Sequence, residues 1–255
     1  MSTAQNPVLL TVEEGIARIV LNRPAVANAF DQPMADALLE AVAACGSADV
    51  RVVVLTGAGP RFCGGGDVST FQSADNPSEY LFALATTLEE AVRLLAEMPK
   101  PVIAAVHGAV AGAGLGLVLA ADIVVAARGT KFATAYAGIG LTPDCGVSFL
   151  LPRVIGLRRA LEISLLGRVI RAEEAVEWGL ASMLASDAMH AAADIERIAE
   201  TLASGPAPAF GQARRLLRAG SERSRSEHGE DEARTISAAV RTPDAQRLIQ
   251  HFLDR

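Results

Sequence analysis

One acid, Asp144, stands in the apolar stretch AYAGIGLTPDCG (residues 135–146), between a proline and a cysteine. A carboxylate in such a setting is either a turn device or a reagent. As a turn device it would bend the chain or cap a helix over residues 146–151; as a reagent it would accept and return protons. Two glycine-rich turns, FCGGGDV (62–68) and HGAVAGAGLG (107–116), offer complementary chemistry, and each follows a strand-like run. Glycines let backbone N–H groups approach a ligand unscreened by side chains, and where the second turn opens a helix the helix dipole adds positive potential. One donor from each turn, aimed at a single carbonyl oxygen, would make an oxyanion hole. The same glycines would also suit close packing of strand on helix, and spacing alone leaves both readings open.

Other chemistries fit poorly. The second turn has Gly112 and Gly114 but Leu117 where a dinucleotide fingerprint needs its third glycine, and no GK[ST] element forms a Walker loop. Three widely spaced cysteines, Cys45, Cys63 and Cys145, match neither a disulfide framework nor a zinc site. A net charge of -6 argues against nucleic acid as a partner. The basic run 214–225 is followed closely by EHGEDE (227–232), so it reads as a solvated helix face. The N-terminal MSTAQNPVLLTVEEG lacks the basic region of a signal peptide, and with the unpaired cysteines this points to the cytoplasm.

The elements that must position these groups follow from periodicity. Residues 8–13 and 16–21 read as a hairpin about Glu14-Gly15, and RVVVLTG (51–57) as a buried strand. Asp31 with Pro33 starts a helix bearing Met34, Leu38 and Val42 on one face. Leu81, Leu84, Leu88, Val92 and Leu95 mark a helix over 78–98. Residues 101–121 carry no Asp, Glu, Lys or Arg and imitate a membrane span, but the PKP before them and His107 within them favour a strand at 102–106 and a buried helix at 113–121. A strand at 122–126 and an extended piece at 131–133 complete an α/β arrangement of β-β-α units. From Leu157 onward helices are expected at 157–166, 172–178, 187–203, 208–219 and 244–253, with a strand at 180–184. Residues 220–232 look like a linker, and FQSADNPSEY (71–80) is expected to be mobile.

LNRPAVANAF (21–30), FCGGGDV, the run 99–127 and GIGLTPDCGVSFLLPRVIG (138–156) together resemble the enoyl-CoA hydratase/isomerase, or crotonase, superfamily. The resemblance extends from about Val8 to the C-terminus, including EEAVEWGL (173–180) and TPDAQRLIQHFLDR (242–255). It implies a ClpP-like spiral of β-β-α units over residues 1–200, with a helical trimerisation region over 201–255. It further implies an acyl-CoA thioester substrate, with coenzyme A arriving as part of it and no separate cofactor or metal, and a homotrimer or dimer of trimers. By position, the oxyanion donors are the amides of Gly66 and Ala113.

The family's reactions differ in their acids and bases. Hydratases carry two glutamates, and at those positions this chain has Gly116 and Tyr136. Glycine has no side chain and a phenol has a pKa near ~10, so neither slot serves hydration. Asp144, eight residues after Tyr136, matches the slot that dienoyl-CoA and phenylacetate-pathway isomerases fill with Asp, and GL-PDCG-LLPRV is closest to the latter. The expected activity is a Δ3 to Δ2 shift, or a ring-epoxyphenylacetyl-CoA rearrangement, with Asp144 as the single acid/base. Three alternatives remain: residual hydration, attack of Asp144 on an aryl-CoA as in the dehalogenases, and a non-catalytic CoA-binding subunit. Dehalogenation ranks lower, because that branch relies on a His in the helix before PKP and a Trp at position 136. Tyr136, Leu141, Phe149 and Gly116 are the expected acyl pocket. The resemblance implies Arg23, Phe62, Gly64, Asp67, Phe252 and Arg255 as CoA contacts, the last two acting on a neighbouring subunit.

Overall fold

A computed structural model of the chain describes residues 6–220 and 223–255. The chain opens with β1 (Val8–Glu13) and β2 (Ile16–Leu21), paired antiparallel from Val8 opposite Leu21 to Glu13 opposite Ile16. Glu14 and Gly15 both take positive φ, the geometry of the tight hairpin turn expected there. α1 (Gln32–Ala44) is capped by Asp31, whose side chain accepts from the Met34 amide. There follow β3 (Val52–Gly57), α2 (Val68–Gln72), α3 (Pro77–Glu97), β4 (Val102–Val106), β5 (Ala109–Ala111), α4 (Ala113–Ala120), β6 (Ile123–Ala127) and β7 (Lys131–Ala133). The rest of the chain is α5 (Val147–Ile155), α6 (Leu157–Leu165), β8 (Ile170–Arg171), α7 (Ala172–Glu177), β9 (Met183–Ala185), α8 (Ala188–Ser204), α9 (Ala207–Ala219), α10 (Arg225–Ala239) and α11 (Pro243–Leu253).

A six-stranded sheet runs β1-β2-β3-β4-β6-β9, parallel except for β1 against β2. Its central strands are buried on both faces, and their side chains divide by the two-residue period of a strand. Val53, Leu55, Val102, Ala104 and Val106 join the larger core with α1, α3 and α4, while Val52, Val54, Ile103 and Ala105 join the smaller core under α8. A second sheet, β5-β7-β8, lies beyond the ends of β4 and β6. The membrane-like segment 101–121 resolves into β4, β5 and α4, and every residue of α4 is buried. That explains its lack of charge: the helix is apolar all round because protein surrounds it. No helix among the described residues is long and apolar enough to cross a membrane.

Several expectations need correction. Of the expected linker at 220–232, residues 221–222 lie outside the described residues, and 225–232 are instead the start of α10. That helix begins behind a capping box, in which the Ser224 hydroxyl accepts from the Glu227 amide and the Glu227 carboxylate accepts from the Ser224 amide. Its residues 225–239 bury no side chain, so no apolar stripe announced it. FQSADNPSEY carries regular structure: it contains the end of α2 and the start of α3, where the Asn76 side chain accepts from the Glu79 amide. The late strand lies at 183–185 rather than 180–184, and β8, only two residues long, escaped a pattern-based reading.

The expected boundary at residue 201 falls inside α8, and α9 is fastened to the core by Arg214. The Arg214 guanidinium, almost fully buried, bonds the Asp122 carboxylate at 2.6 Å and the carbonyls of Leu95 at 2.7 Å, Ala96 at 2.8 Å and Met98 at 2.5 Å. One planar fork thus satisfies the C-terminal carbonyls of α3, which packs on α4. Arg214→Lys keeps the charge but loses the fork. It should lower unfolding stability by about 2 kcal/mol, read from denaturant midpoints.

Candidate active site

The first glycine turn is held by Asn28, a residue the sequence reading passed over. Asn28 is fully buried at positive φ. Its side-chain N–H groups donate to the carbonyls of Ala58, Arg61 and Phe62 at 2.8 to 3.0 Å, and its Oδ1 accepts from the Arg23 amide at 2.8 Å. The turn is also stitched to β5, with the Cys63 amide donating to the Ala109 carbonyl and the Ala111 amide to the Cys63 carbonyl, both at 3.0 Å.

The two turns meet where neither has a side chain. A Cβ on Gly112 would stand 3.3 Å from the Gly65 Cα, and one on Gly114 would stand 2.6 Å from the Cys63 Cβ. Close packing therefore does demand these glycines, and Gly66 and Ala113 each follow one member of the touching pair Gly65 and Gly112. The surrounding amides are used internally: Gly64 donates to Ala27, Asp67 to Phe30 and Gly112 to Ala133, at 2.8, 2.8 and 3.3 Å. Gly65 points at the Cys63 sulfur. The amides of Gly66 and Ala113 donate to no backbone oxygen among the described residues. Ala113 opens α4, so its N–H is one of the helix's unsatisfied donors at the positive end of the dipole. Space is open around Gly66. An unspent N–H group on each of two touching turns is the raw material of an oxyanion hole.

Asp144 and Tyr136 come together beside this feature. The Tyr136 hydroxyl donates to Asp144 Oδ1 at 2.7 Å. The phenol also leans on the second turn, since a Cβ on Gly112 would lie 3.9 Å from its Cζ and Oη. Burial, then the Asp144 charge and hydrogen bond, push Tyr136 well above the ordinary range of a phenol. It therefore stays protonated and serves as a fixed donor. Asp144 does not cap α5: the capping position is Gly146, and no side chain bonds that end. Instead, positive φ at both Cys145 and Gly146 turns the chain sharply after Asp144, sending its side chain back toward Tyr136. Ala135, just before Tyr136, also has positive φ. Left-handed backbone at two non-glycine residues flanking the pair is strain of the kind retained at functional sites.

The hydratase slot at Gly116 is closed by the fold itself. A Cβ there would come 2.4 Å from the Cys145 carbonyl oxygen and 3.1 Å from the Cys145 Cβ. Leu141 and Phe149, expected in the acyl pocket, are both partly exposed, and the Arg153 guanidinium stacks 3.4 Å from the Phe149 ring centre. A second carboxylate lies close by. Glu89 on α3 places Oε2 3.6 Å from where a side chain on Gly146 would begin, and the sequence reading did not single it out. Among the described residues, no group of three or more His, Cys, Asp or Glu could hold a metal ion.

Comparison with known proteins places this arrangement. Residues 11–255 match the enoyl-CoA hydratase/isomerase family. The chain belongs to that family. It is 43% identical over 185 residues, 71% of this chain and 70% of the relative, to a 1,2-epoxyphenylacetyl-CoA isomerase of Escherichia coli (strain K12). It is 31% identical over 257 residues, 100% of this chain and 90% of the relative, to a 4-chlorobenzoyl coenzyme A dehalogenase of an Arthrobacter species. Among solved structures it is similar to an enoyl-CoA hydratase/isomerase from Mycobacterium abscessus, with a TM-score of 0.93 and 36% identity over 97% of this chain and 96% of that one. This enoyl-CoA hydratase/isomerase is therefore an enzyme of a family that acts on acyl-CoA thioesters.

The residues expected at CoA lie in varied settings. Arg23 is paired with Asp31 at 2.9 Å and with Asp67 at 3.3 Å, and donates to the Ala29 carbonyl, so its charge is already met by two carboxylates. Asp67 is buried and also accepts from the Ser69 hydroxyl at 2.6 Å. Phe62 is fully buried in the core, which leaves its ring no surface for a ligand. Gly64 is exposed. Phe252 and Arg255, at the end of α11, are exposed.

Proposed function

We propose that this enzyme is an acyl-CoA isomerase that moves a double bond from Δ3 to Δ2, with ring-epoxyphenylacetyl-CoA as the aromatic counterpart of its substrate. The observation that carries this reading is the single oriented carboxylate. Asp144, held by the Tyr136 hydroxyl, sits beside two unspent amides, while both positions that a hydratase fills with glutamate lack one. The thioester oxygen takes the Gly66 and Ala113 N–H groups. Asp144 removes the proton between the carbonyl and the double bond, the negative charge collects on the held oxygen, and Asp144 returns the proton two carbons further along. One carboxylate suffices, because the same group is base and then acid. Hydration requires in addition a held, deprotonated water, and neither Gly116 nor the protonated Tyr136 supplies its base.

The dehalogenase chemistry of the Arthrobacter relative is less well supported. A carboxylate that already accepts a short hydrogen bond is a weaker nucleophile toward carbon, and α3 carries Glu89 rather than a histidine on its site-facing side. A silent CoA-binding subunit is set aside because Asp144 faces the site instead of capping α5.

We also infer a trimer or a pair of trimers. Leu165 and Leu166 at the end of α6 and Phe252 and Leu253 on α11 are 70% or more exposed, more apolar surface than a monomer usually leaves bare. Such an assembly would let Phe252 and Arg255 reach CoA on a neighbour.

The test is to supply 3-enoyl-CoA and follow formation of the conjugated 2-enoyl thioester, with acyl-CoA binding titrated alongside. Turnover supports the reading; binding without turnover would leave the silent subunit. Tyr136→Phe removes one hydrogen bond and nothing else from the pocket. It should lower kcat about tenfold with little change in KM, as for loss of orientation at the base.

A further inference from the structure

Arg23, expected at CoA, commits its guanidinium to three protein groups. Nη2 pairs with Asp31 at 2.9 Å and with Asp67 at 3.3 Å, and Nη1 donates to the Ala29 carbonyl at 2.5 Å. A CoA phosphate approaching there would meet two carboxylates against one cation, a cluster that is net negative. The three partners share a geometry. Ala29 and Asp31 flank Phe30, Asp67 follows Gly66, and Phe30 and Gly66 form a parallel bridge. The Phe30 amide donates to the Gly65 carbonyl and the Asp67 amide to the Phe30 carbonyl, both at 2.8 Å. The bridge is isolated, with no ladder on either side to stiffen it. It nevertheless decides where the Gly66 N–H points. The peptide between Gly65 and Gly66 is trans, so its N–H lies opposite its C=O. With the Gly65 carbonyl turned to Phe30, the Gly66 N–H is turned away from it, and any rotation of that peptide plane weakens the Phe30 bond and swings the donor.

We propose that Arg23 is a positioning residue for the thioester carbonyl: by tying both neighbours of Phe30 to the residue after Gly66, its guanidinium fixes the plane of the Gly66 peptide and so the aim of its N–H. The proposal rests on the reading of the Gly66 amide as an oxyanion donor. Asn28 supports the clamp from the main chain, since its Oδ1 accepts from the Arg23 amide at 2.8 Å. The Asp67 carboxylate is steadied from its other side by the Ser69 hydroxyl, which donates to Oδ1 at 2.6 Å while Arg23 holds Oδ2. A donor held in advance stabilises the charge that develops on the oxygen without reorganising during the reaction. Loosening it therefore costs more in the transition state than in the bound substrate.

The experiment compares wild type, R23K, R23M and D31N, with R197M as a control for loss of an exposed arginine on α8. Infrared difference spectra give the carbonyl stretch of a bound saturated acyl-CoA labelled at the thioester carbon, a ligand that cannot isomerise. Binding of free coenzyme A, turnover of 3-enoyl-CoA and thermal melts are measured beside it. Wild type should lower the stretch relative to the free thioester. R23M should lose most of that shift and about tenfold in kcat, less than the roughly 10²–10³ that follows outright removal of a donor, with coenzyme A affinity and KM unchanged. R23K keeps the charge without the fork and should recover part of both. In D31N the side-chain oxygen still caps the Met34 amide while one arm of the clamp is cut, so the stretch should move the same way by less. R197M should match wild type. A wild-type shift retained in R23M, or in D31N where R23M does not fold, overturns the proposal: weakened coenzyme A binding would then make Arg23 a CoA contact, and a lower melting temperature alone would make the clamp structural. A wild type that leaves the stretch unmoved removes the oxyanion reading, and the proposal with it. If the stretch behaves as expected but 3-enoyl-CoA is not converted, the isomerase reading fails while the role of Arg23 stands.

Discussion

Asp144→Asn should lower the isomerisation rate by about 10² or more, equivalent to roughly 2.7 kcal/mol of barrier or above, while acyl-CoA still binds. Asparagine keeps the shape of the side chain and can still meet the Tyr136 hydroxyl, but it cannot accept a proton from carbon. The proposed oxyanion donors are main-chain groups and are untouched by the change, so ground-state affinity should hold and the loss should appear in kcat. Steady-state rates with 3-enoyl-CoA, set beside a binding titration, separate the two effects. Full activity in the Asn variant would remove Asp144 from the chemistry.

Gly116→Glu should fail to create a hydratase, although it writes a glutamate into the slot where hydratases keep one. The new Cβ would begin 2.4 Å from the Cys145 carbonyl oxygen, a backbone atom in the turn that aims Asp144. Its carboxylate would then be buried in α4, whose eight residues are all buried, without a partner. Overpacking and an unpaired buried charge together should cost more than ~4 kcal/mol, a fall in Tm of roughly 10 °C or more, with isomerase activity lost because the Asp144 turn is displaced. Thermal melts and assays of both activities check this. A stable Gly116→Glu variant that hydrates 2-enoyl-CoA would mean the turn is far more yielding than its packing indicates.

The glycine turns, the hairpin, α1, α3 and the central strands were legible in the sequence because each is specified locally. A capping Asp31 before a proline, a run of β-branched residues, or an apolar spacing of three and four needs no distant partner. Asp144 was legible for the opposite reason: it broke an apolar pattern with no local purpose. What the sequence could not reveal is set by contacts between distant segments. Asn28 looks like an ordinary turn residue until its amide is seen holding three carbonyls thirty or more positions away. Glu89 is indistinguishable by spacing from Glu90 and Glu97, and only the approach of Gly146 to α3 separates it. Gly116 could be read as a missing glutamate, but that the missing side chain is replaced by the Cys145 backbone is a fact of packing. Phe62, beside the first glycine turn, was expected at CoA from the family resemblance, whereas the fold takes its ring into the core.

The central claim is that one carboxylate, served by two backbone donors and without the hydratase pair, shifts a double bond and does not add water. It is tested most directly by incubating wild-type enzyme separately with 3-enoyl-CoA and with 2-enoyl-CoA in ¹⁸O-labelled water and resolving the products by mass. The account predicts conversion of 3-enoyl-CoA to the unlabelled 2-enoyl isomer and little or no labelled 3-hydroxyacyl product from either substrate. Efficient formation of ¹⁸O-labelled 3-hydroxyacyl-CoA from 2-enoyl-CoA would contradict it.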